Sequence, residues 1–282
     1  MDCLQLDHSA VLNMLPERKN TAHKGDFGKL LLLCGSEGYT GAASLAAMGA
    51  LRTGAGLVYL GVPACIYSIE AVKLLESVVF PLPDLNGMIS QTAIHKIAAH
   101  LDKMDAVLIG PGLGKSKDTR NVLFWLLNNY PGPIVIDADG ICLLKDHIDI
   151  LRGRACPVIL TPHEGEFSQL TGKIVSNRVS EAVEAARSLQ SIIVLKGHNS
   201  VITDGQTTYI NPTGNPGMAV GGSGDILAGM ITALIGQGMS PLSAAAVSAW
   251  VHGAAGDVCA KQIGTYGMLP SDMLNVIPRL LK

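Results

Sequence analysis

Six short apolar runs, KLLLLCG, GLVYLGV, DAVLIGPG, GPIVIDADG, CPVILTPH and SIIVLKG, recur along the chain with helically spaced stretches between them. Short apolar runs without strict alternation suit strands buried on both faces, and such strands belong to parallel sheets covered by helices. The expected fold class is therefore α/β, a mostly parallel central sheet flanked by helices on both faces. Helical spacing falls at AASLAAMGALRTG and at residues 66–76, 92–101, 119–129 and 180–189. After SIIVLKG the pattern changes: SVIT-DG-QTTYI reads as a hairpin about Asp204-Gly205, an antiparallel extension of the sheet. Helices are then expected over 226–235, 241–261 and 270–281. With 48% hydrophobic and 16% charged residues the chain has material for a large core. No repeat, low-complexity tract or separating linker interrupts it, so one domain over 1–282 is expected.

The net charge of -2 comes with dispersed lysines and arginines, so nothing argues for a nucleic-acid partner or a membrane surface. A small molecule or a second copy of the chain is the expected partner. Cys3, Cys34, Cys65, Cys142, Cys156 and Cys259 have no metal-ligand rhythm, and buried reduced thiols are expected of them. With no signal-like N-terminus and no run of membrane-spanning length, the reading is cytoplasmic.

In an open parallel sheet, ligands bind beyond the carboxyl ends of the strands. Those ends carry Gly35-Ser36 and GYTGAA, Gly110-Pro111-Gly112, Asp137 and Asp139, Thr161 to Glu166, and residues 196–200. The remaining polar loop is GGSGD, directly before an apolar helix. Neither GSEGYTGAA nor GPGLGK fits a Walker A or a dinucleotide fingerprint. Gly221, Gly222 and Gly224 nevertheless offer backbone N–H groups at a positive helix end, an anion hole. Asp225 is expected to have a lowered pKa there and to orient a hydroxyl attacking a phosphoryl group, a reaction that asks mainly for positioning. The bland alternative is a helix-end charge.

GGSGD resembles the anion hole and catalytic aspartate of the ribokinase-like superfamily, in the branch of hydroxyethylthiazole kinase and NAD(P)H-hydrate dehydratases. The dehydratase resemblance spans almost the whole chain through HKGDFGKLLLLCGS, GYTGAA, ALRTGAGLV, IGPGLG, VIDADG, LTPHEGEF, VLKGHNSVI and NPTGNPGMAVGGSGD. It implies repair of hydrated NADH and NADPH (NADHX and NADPHX), driven by a nucleoside phosphate. Phosphorylation would turn the added ring hydroxyl into a leaving group, and the ring nitrogen lone pair would expel it. The resemblance also implies that Ala42, Gly112, His163 and Asp225 contact the hydrated dinucleotide. Lys196, Gly197, His198, Asn199, Ser200 and Gly224 would hold the adenine nucleotide, Lys196 as a point charge beside phosphate. Asp137 and Asp139 are weak candidates for Mg2+ through water, as are Glu164 and Glu166 through the phosphates.

ADP, giving AMP and phosphate, is the expected donor, with ATP as the alternative. Many relatives carry an N-terminal epimerase, and that activity is not expected here. A homotetramer is expected, with the helices 42–51 and 241–261 as candidate surfaces. Two rivals stand beside this reading: a kinase of the hydroxyethylthiazole type, which would release a stable phosphomonoester, and a nucleotide-binding module without turnover.

Overall fold

The computed structural model describes residues 3–282. The described strands are β1 Leu4–Gln5, β2 Lys29–Leu33, β3 Leu57–Pro63, β4 Val78–Leu82, β5 Asp84–Leu85, β6 Met88–Ile89, β7 Ala106–Ile109, β8 Ile134–Ile136, β9 Ile159–Leu160, β10 Ile192–Leu195, β11 Ser200–Thr203 and β12 Thr208–Asn211. The α-helices are α1 His8–Met14, α2 Thr40–Arg52, α3 Tyr67–Lys73, α4 Ile94–Leu101, α5 Lys117–Asn129, α6 Asp139–Leu143, α7 Glu164–Thr171, α8 Arg178–Leu189, α9 Ser223–Gly236, α10 Pro241–Ile263, α11 Pro270–Met273 and α12 Ile277–Leu280.

Ten strands form one sheet in the order β1-β12-β11-β10-β9-β8-β7-β2-β3-β4. The six apolar runs supply its contiguous parallel block, β10-β9-β8-β7-β2-β3. Four consecutive leucines can form β2 because both faces are covered. Leu30 and Leu32 pack towards α2, α9 and α10, whereas Leu31 and Leu33 pack towards α4, α5 and α8. The chain leaves β2 outward to β3 and β4, then returns to β7 on the other side of β2. That reversal is a topological switch point, and the crevice beyond it is where such sheets bind ligands.

The antiparallel extension is β11–β12, paired from Ser200↔Asn211 to Thr203↔Thr208. Its turn has four residues rather than a tight Asp-Gly pair. The Asp204 carboxylate accepts from Gln206 N and Thr207 N at 2.8 and 2.7 Å, so an Asx-type turn sets the loop length. Three helix expectations need correction. The 66–76 segment is a short turn, Ala64–Ile66, followed by α3 only. The 270–281 segment is broken into α11 and α12, because Pro278 cannot donate to a helix continuing from α11. Helix α9 begins at Ser223, three residues earlier than 226, so Gly224 and Asp225 lie inside its first turn.

Helices α2 and α9 run side by side in the same direction, from the contact of Leu45 with Gly222 to the bond from Gln237 Nε2 to Thr53 O at 3.1 Å. A Cβ on Gly229 would lie 2.1 Å from Ala46 O, so the two backbones nearly touch. The helices proposed from sequence for self-association are thus spent on the chain's own core: Ala43, Ala46, Ala47 and Ala50 of α2 are buried, as is most of α10. Exposed large apolar residues gather instead at Tyr67, Ile69, Val72, Leu75, Val78 and Leu85, around α3 and the edge strand β4. All six cysteines are free, but only Cys34 and Cys259 are buried, fewer than expected. Among the described residues, no helix is long and apolar enough to cross a membrane.

Candidate functional site

The loops after β2 and β7 are tied together at the switch point. Gly35 N donates to Pro111 O at 2.8 Å, and Ser36 Oγ donates to Gly112 O at 2.8 Å. Gly112 has φ +58, and a Cβ there would meet Ala42 Cβ at 2.8 Å, so only glycine lets the β7 loop lie on the first turn of α2. Ala42 and Gly112, expected to share a ligand, are therefore neighbours. Tyr39, the residue before α2, provides no side-chain cap, which leaves the first-turn amides of a 13-residue helix facing the crevice.

Helix α9 presents its start to the same crevice. Gly222 occupies the cap position with φ 98 and offers no capping side chain. Ser223 N donates to Val220 O at 3.3 Å, while among the described residues the amides of Gly222, Gly224 and Asp225 have no protein acceptor. Two parallel helices thus bring their positive ends together, an arrangement that favours anions. Of the expected anion-hole glycines, Gly221 is exposed with open space about it, and Gly222 and Gly224 are enclosed. A Cβ on Gly224 would lie 3.1 Å from Lys196 Nζ and 3.8 Å from Asp137 Oδ2.

Opposite Gly224 sits a buried ion pair. Asp137, 1% exposed at the end of β8, accepts from Lys196 Nζ at 2.8 Å and Thr161 Oγ1 at 2.6 Å, both through Oδ1. Lys196 follows β10, and Glu166 Oε2 lies 4.0 Å from its ammonium. Burial disfavours the charge on Lys196, but the carboxylates of Asp137, Glu166 and Asp225 outweigh it and raise the pKa. Asp137 Oδ2 is buried and has no hydrogen-bond partner. An orphaned carboxylate oxygen beside an anion-binding helix end fits Mg2+, which binds through one or two carboxylates with waters and phosphates. Among the described residues no cluster of three His, Cys, Asp or Glu forms a self-sufficient metal cage.

Asp225 does not have the lowered pKa expected of a helix-terminal carboxylate. Burial, followed by repulsion from Asp137, raises it to about 7, and attraction to Lys196 only partly offsets that. Burial first, and then the acidic neighbours brought in by β8, outweigh the favourable field of the helix end. The other weak metal candidates have work elsewhere. Asp139 accepts from Gly114 N at 2.9 Å and pairs with Lys115 at 3.8 Å, bracing the β7 loop. Between the two aspartates Ala138 has φ 49, a conformation disfavoured for a residue with a Cβ, which separates them into different tasks. Glu164 pairs with Arg178.

His163 is the cap of α7. Its Nδ1 accepts from Gly165 N and Glu166 N at 3.0 and 3.3 Å, and its own N–H donates to Glu166 Oε2 at 2.9 Å. With Nδ1 an acceptor, the neutral ring carries its proton on Nε2. Residues 197–200 turn from β10 into β11, closed by Ser200 Oγ donating to Gly197 O at 2.9 Å, with His198 and Asn199 exposed. Lys196 is set apart from them, turned inward to Asp137 rather than outward with the loop.

Two features escaped sequence reasoning. Asn86-Gly87, with φ 51 and 75, turns a hairpin between β5 and β6 whose Gly87 O accepts from Glu37 N at 2.8 Å, so it walls the crevice. The Asn-Gly pair itself was the available signal. His252 lies buried on α10 with Nε2 3.4 Å from Ser223 Oγ, and burial holds its pKa down to about 4, so the ring is neutral. Nothing in an apolar helix marks such a histidine beforehand.

Comparison with known proteins shows the family. A family described as NAD(P)H-hydrate dehydratase matches residues 30–279. The bifunctional NAD(P)H-hydrate repair enzyme of Moorella thermoacetica is 43% identical over 277 residues, 96% of this chain and 52% of that protein. The chain thus spans about half the length of such curated relatives. The ADP-dependent (S)-NAD(P)H-hydrate dehydratase of Nitrosopumilus maritimus is 31% identical, covering 98% of this chain and 96% of that one. Among solved structures, the ADP/ATP-dependent NAD(P)H-hydrate dehydratase of Bacillus subtilis, co-crystallised with ATP/Mg2+, superposes with a TM-score of 0.84 at 30% identity, over 99% of this chain and 98% of that one. The architecture is ribokinase-like. With a matching family over most of its length and a full-length relative above 30% identity, the chain belongs to the NAD(P)H-hydrate dehydratase family.

Proposed function

We propose that the protein dehydrates the hydrated nicotinamide ring of NADHX and NADPHX, driven by conversion of ADP to AMP and phosphate. The observation that carries this reading is Asp225: a carboxylate with a pKa of about 7 on the uncapped first turn of α9, facing Lys196 and Asp137. Such a group holds the proton-accepting form near neutrality beside amides that bind a phosphoryl group.

In this reading Ala42, Gly112 and His163 hold the dinucleotide, and the ring hydroxyl is directed at Asp225. Lys196 and the 197–200 loop, with Gly224, hold the nucleotide. The hydroxyl oxygen bonds to the β-phosphorus of ADP, its proton passes to Asp225, and the bond to AMP breaks. The carbon–oxygen bond of the new ester then breaks with its electrons leaving on phosphate, as the ring nitrogen lone pair forms a carbon–nitrogen double bond. Loss of a proton from the neighbouring carbon restores the reduced ring. Asp137, with Glu166 beside it, would hold Mg2+, which when bound screens phosphate charge. We assign residues 1–282 to one catalytic domain, acting in the cytoplasm as a homotetramer.

Incubating the protein with hydrated NADH, Mg2+ and either ADP or ATP tests the reading. Return of the reduced-nicotinamide absorbance with equimolar phosphate is expected, faster with ADP. A stable phosphomonoester without that return would favour the kinase reading instead.

A further inference from the structure

The loop that ends in the anion hole is fastened to α10 at both ends. Asp257 Oδ2 accepts from Gly214 N and Oδ1 from Asn215 Nδ2, each at 3.0 Å. Asn215 Oδ1 in turn accepts from Gly217 N at 3.0 Å and caps the turn Pro216–Met218. Met218 lies on α10 where a Cβ on Gly256 would be 2.3 Å from its Sδ, so this helix face is shaped to receive the loop. Val220 N donates to Met218 O at 2.8 Å, Ser223 N donates to Val220 O at 3.3 Å, and Ser223 Oγ meets His252 about 1.4 turns before Asp257 along α10. The chain of bonds leaves α10 at Asp257 and rejoins it at His252, with Gly221 and Gly222 inside the span.

We infer that Asp257 is a positioning residue for the anion hole, acting through Asn215 to set where the Gly222 and Gly224 amides stand. Its carboxylate is occupied by Gly214 N and Asn215 Nδ2, and it is not among the residues assigned to either reactant. Catalysis by prearranged amides tolerates little displacement, and an error of about 1 Å is worth on the order of a hundredfold in rate. The inference rests on the dehydratase reading for its kinetic consequence but not for the hydrogen-bond circuit itself.

The circuit can be broken by either of two single exchanges and rebuilt by the double exchange, which restores the total charge. Asp257→Asn sets an amide nitrogen against Asn215 Nδ2, and Asn215→Asp sets two carboxylates together. In the double variant Asn215→Asp/Asp257→Asn every bond returns: the new asparagine accepts from Gly214 N and donates to the new aspartate, which still accepts from Gly217 N. We expect each single variant to stay folded and to lose about tenfold to a hundredfold in kcat, the effect usual for a group that orients a reactive site, with a smaller change in KM for ADP. The double variant should recover to within about threefold of wild type. Hydrogen exchange of the 214–223 amides should quicken in the singles and recover in the double. Single variants with wild-type kcat and exchange, or a folded double variant no better than the singles, would overturn the inference. If wild type fails to turn over the hydrate, the dehydratase reading falls, and the exchange pattern alone decides the fate of the circuit.

Discussion

A carboxylate in the first turn of a helix is ordinarily favoured as an anion, by about 0.3–1 kcal/mol. At Asp225 burial and Asp137 reverse that balance and lift the pKa from 3.8 to about 7. Two consequences have opposite signs. The proton-accepting form appears as pH rises, so kcat/KM should climb through pH 7. In the unfolded chain the same group ionises near 3.8, so between there and about 7 the folded state binds the extra proton and stability falls as pH rises. Asp225→Asn removes that fall: relative to wild type, its Tm should improve from pH 4 to pH 8 while turnover drops by about two to four orders of magnitude. A variant less stable than wild type at pH 8, or with near-normal turnover, would return Asp225 to the role of a helix-end charge. Lys196 carries a different risk, because it neutralises a buried partner. Lys196→Ala should cost about 3–5 kcal/mol in urea unfolding, whereas Asp137→Asn/Lys196→Met, which removes both charges, should cost less. Equal losses would mean that the pair is screened by solvent. GGSGD and Lys196 stood out in the sequence; the grip of Lys196 on Asp137 did not, since it depends on β9 setting Ile136 level with Ile193, so that Lys196, beyond the end of β10, reaches back to Asp137.

Helices α2 and α9 act as one device. Their positive ends share the crevice because their backbones approach closely, and Gly229 against Ala46 O is the narrowest point. Gly229→Ala should therefore cost at least the ~1–3 kcal/mol typical of overpacking and lower turnover as well, since parting the helices moves both sets of first-turn amides. Calorimetry and steady-state kinetics on the same preparation check this, and a Tm and rate like wild type would show that the contact yields without moving the site. The elements themselves were readable wherever burial alone determined them: every apolar run is a strand, and α2, α5, α8 and α10 lie where the spacing puts them. The failures have local causes. Pro278 interrupts the last helix, and α9 starts early because Gly222, with its positive φ, turns the chain before Ser223. The short α7 is nucleated by His163 and Glu166 capping one another rather than by apolar periodicity.

Across the whole molecule, the arrangement of charge fixes when a metal enters. The positive ends of α2 and α9 attract phosphate, yet the same crevice holds Asp137, Glu166 and Asp225 with Lys196 buried among them. A polyphosphate arriving alone meets carboxylates as well as amides, so binding asks for a cation that answers both. The fold does not need that cation in advance: its two cores are built on opposite faces of one sheet, and no three-ligand cage exists among the described residues. Mg2+ should thus enter with the nucleotide and leave with it. Chelator should leave the Tm of the ligand-free protein unchanged while abolishing turnover. ADP with Mg2+ should raise the Tm well above ADP with chelator, by the equivalent of about 2.7 kcal/mol at a hundredfold excess over Kd. Asp137→Asn should shrink that difference, because it weakens a buried carboxylate oxygen beside the anion hole that has no protein partner. If chelator alone lowered the Tm, the metal would be a resident part of the fold and this order of binding would be wrong. If ADP raised the Tm equally with and without Mg2+, the amides and Lys196 would suffice for the phosphates, and Asp137 would serve only to hold Lys196 in place.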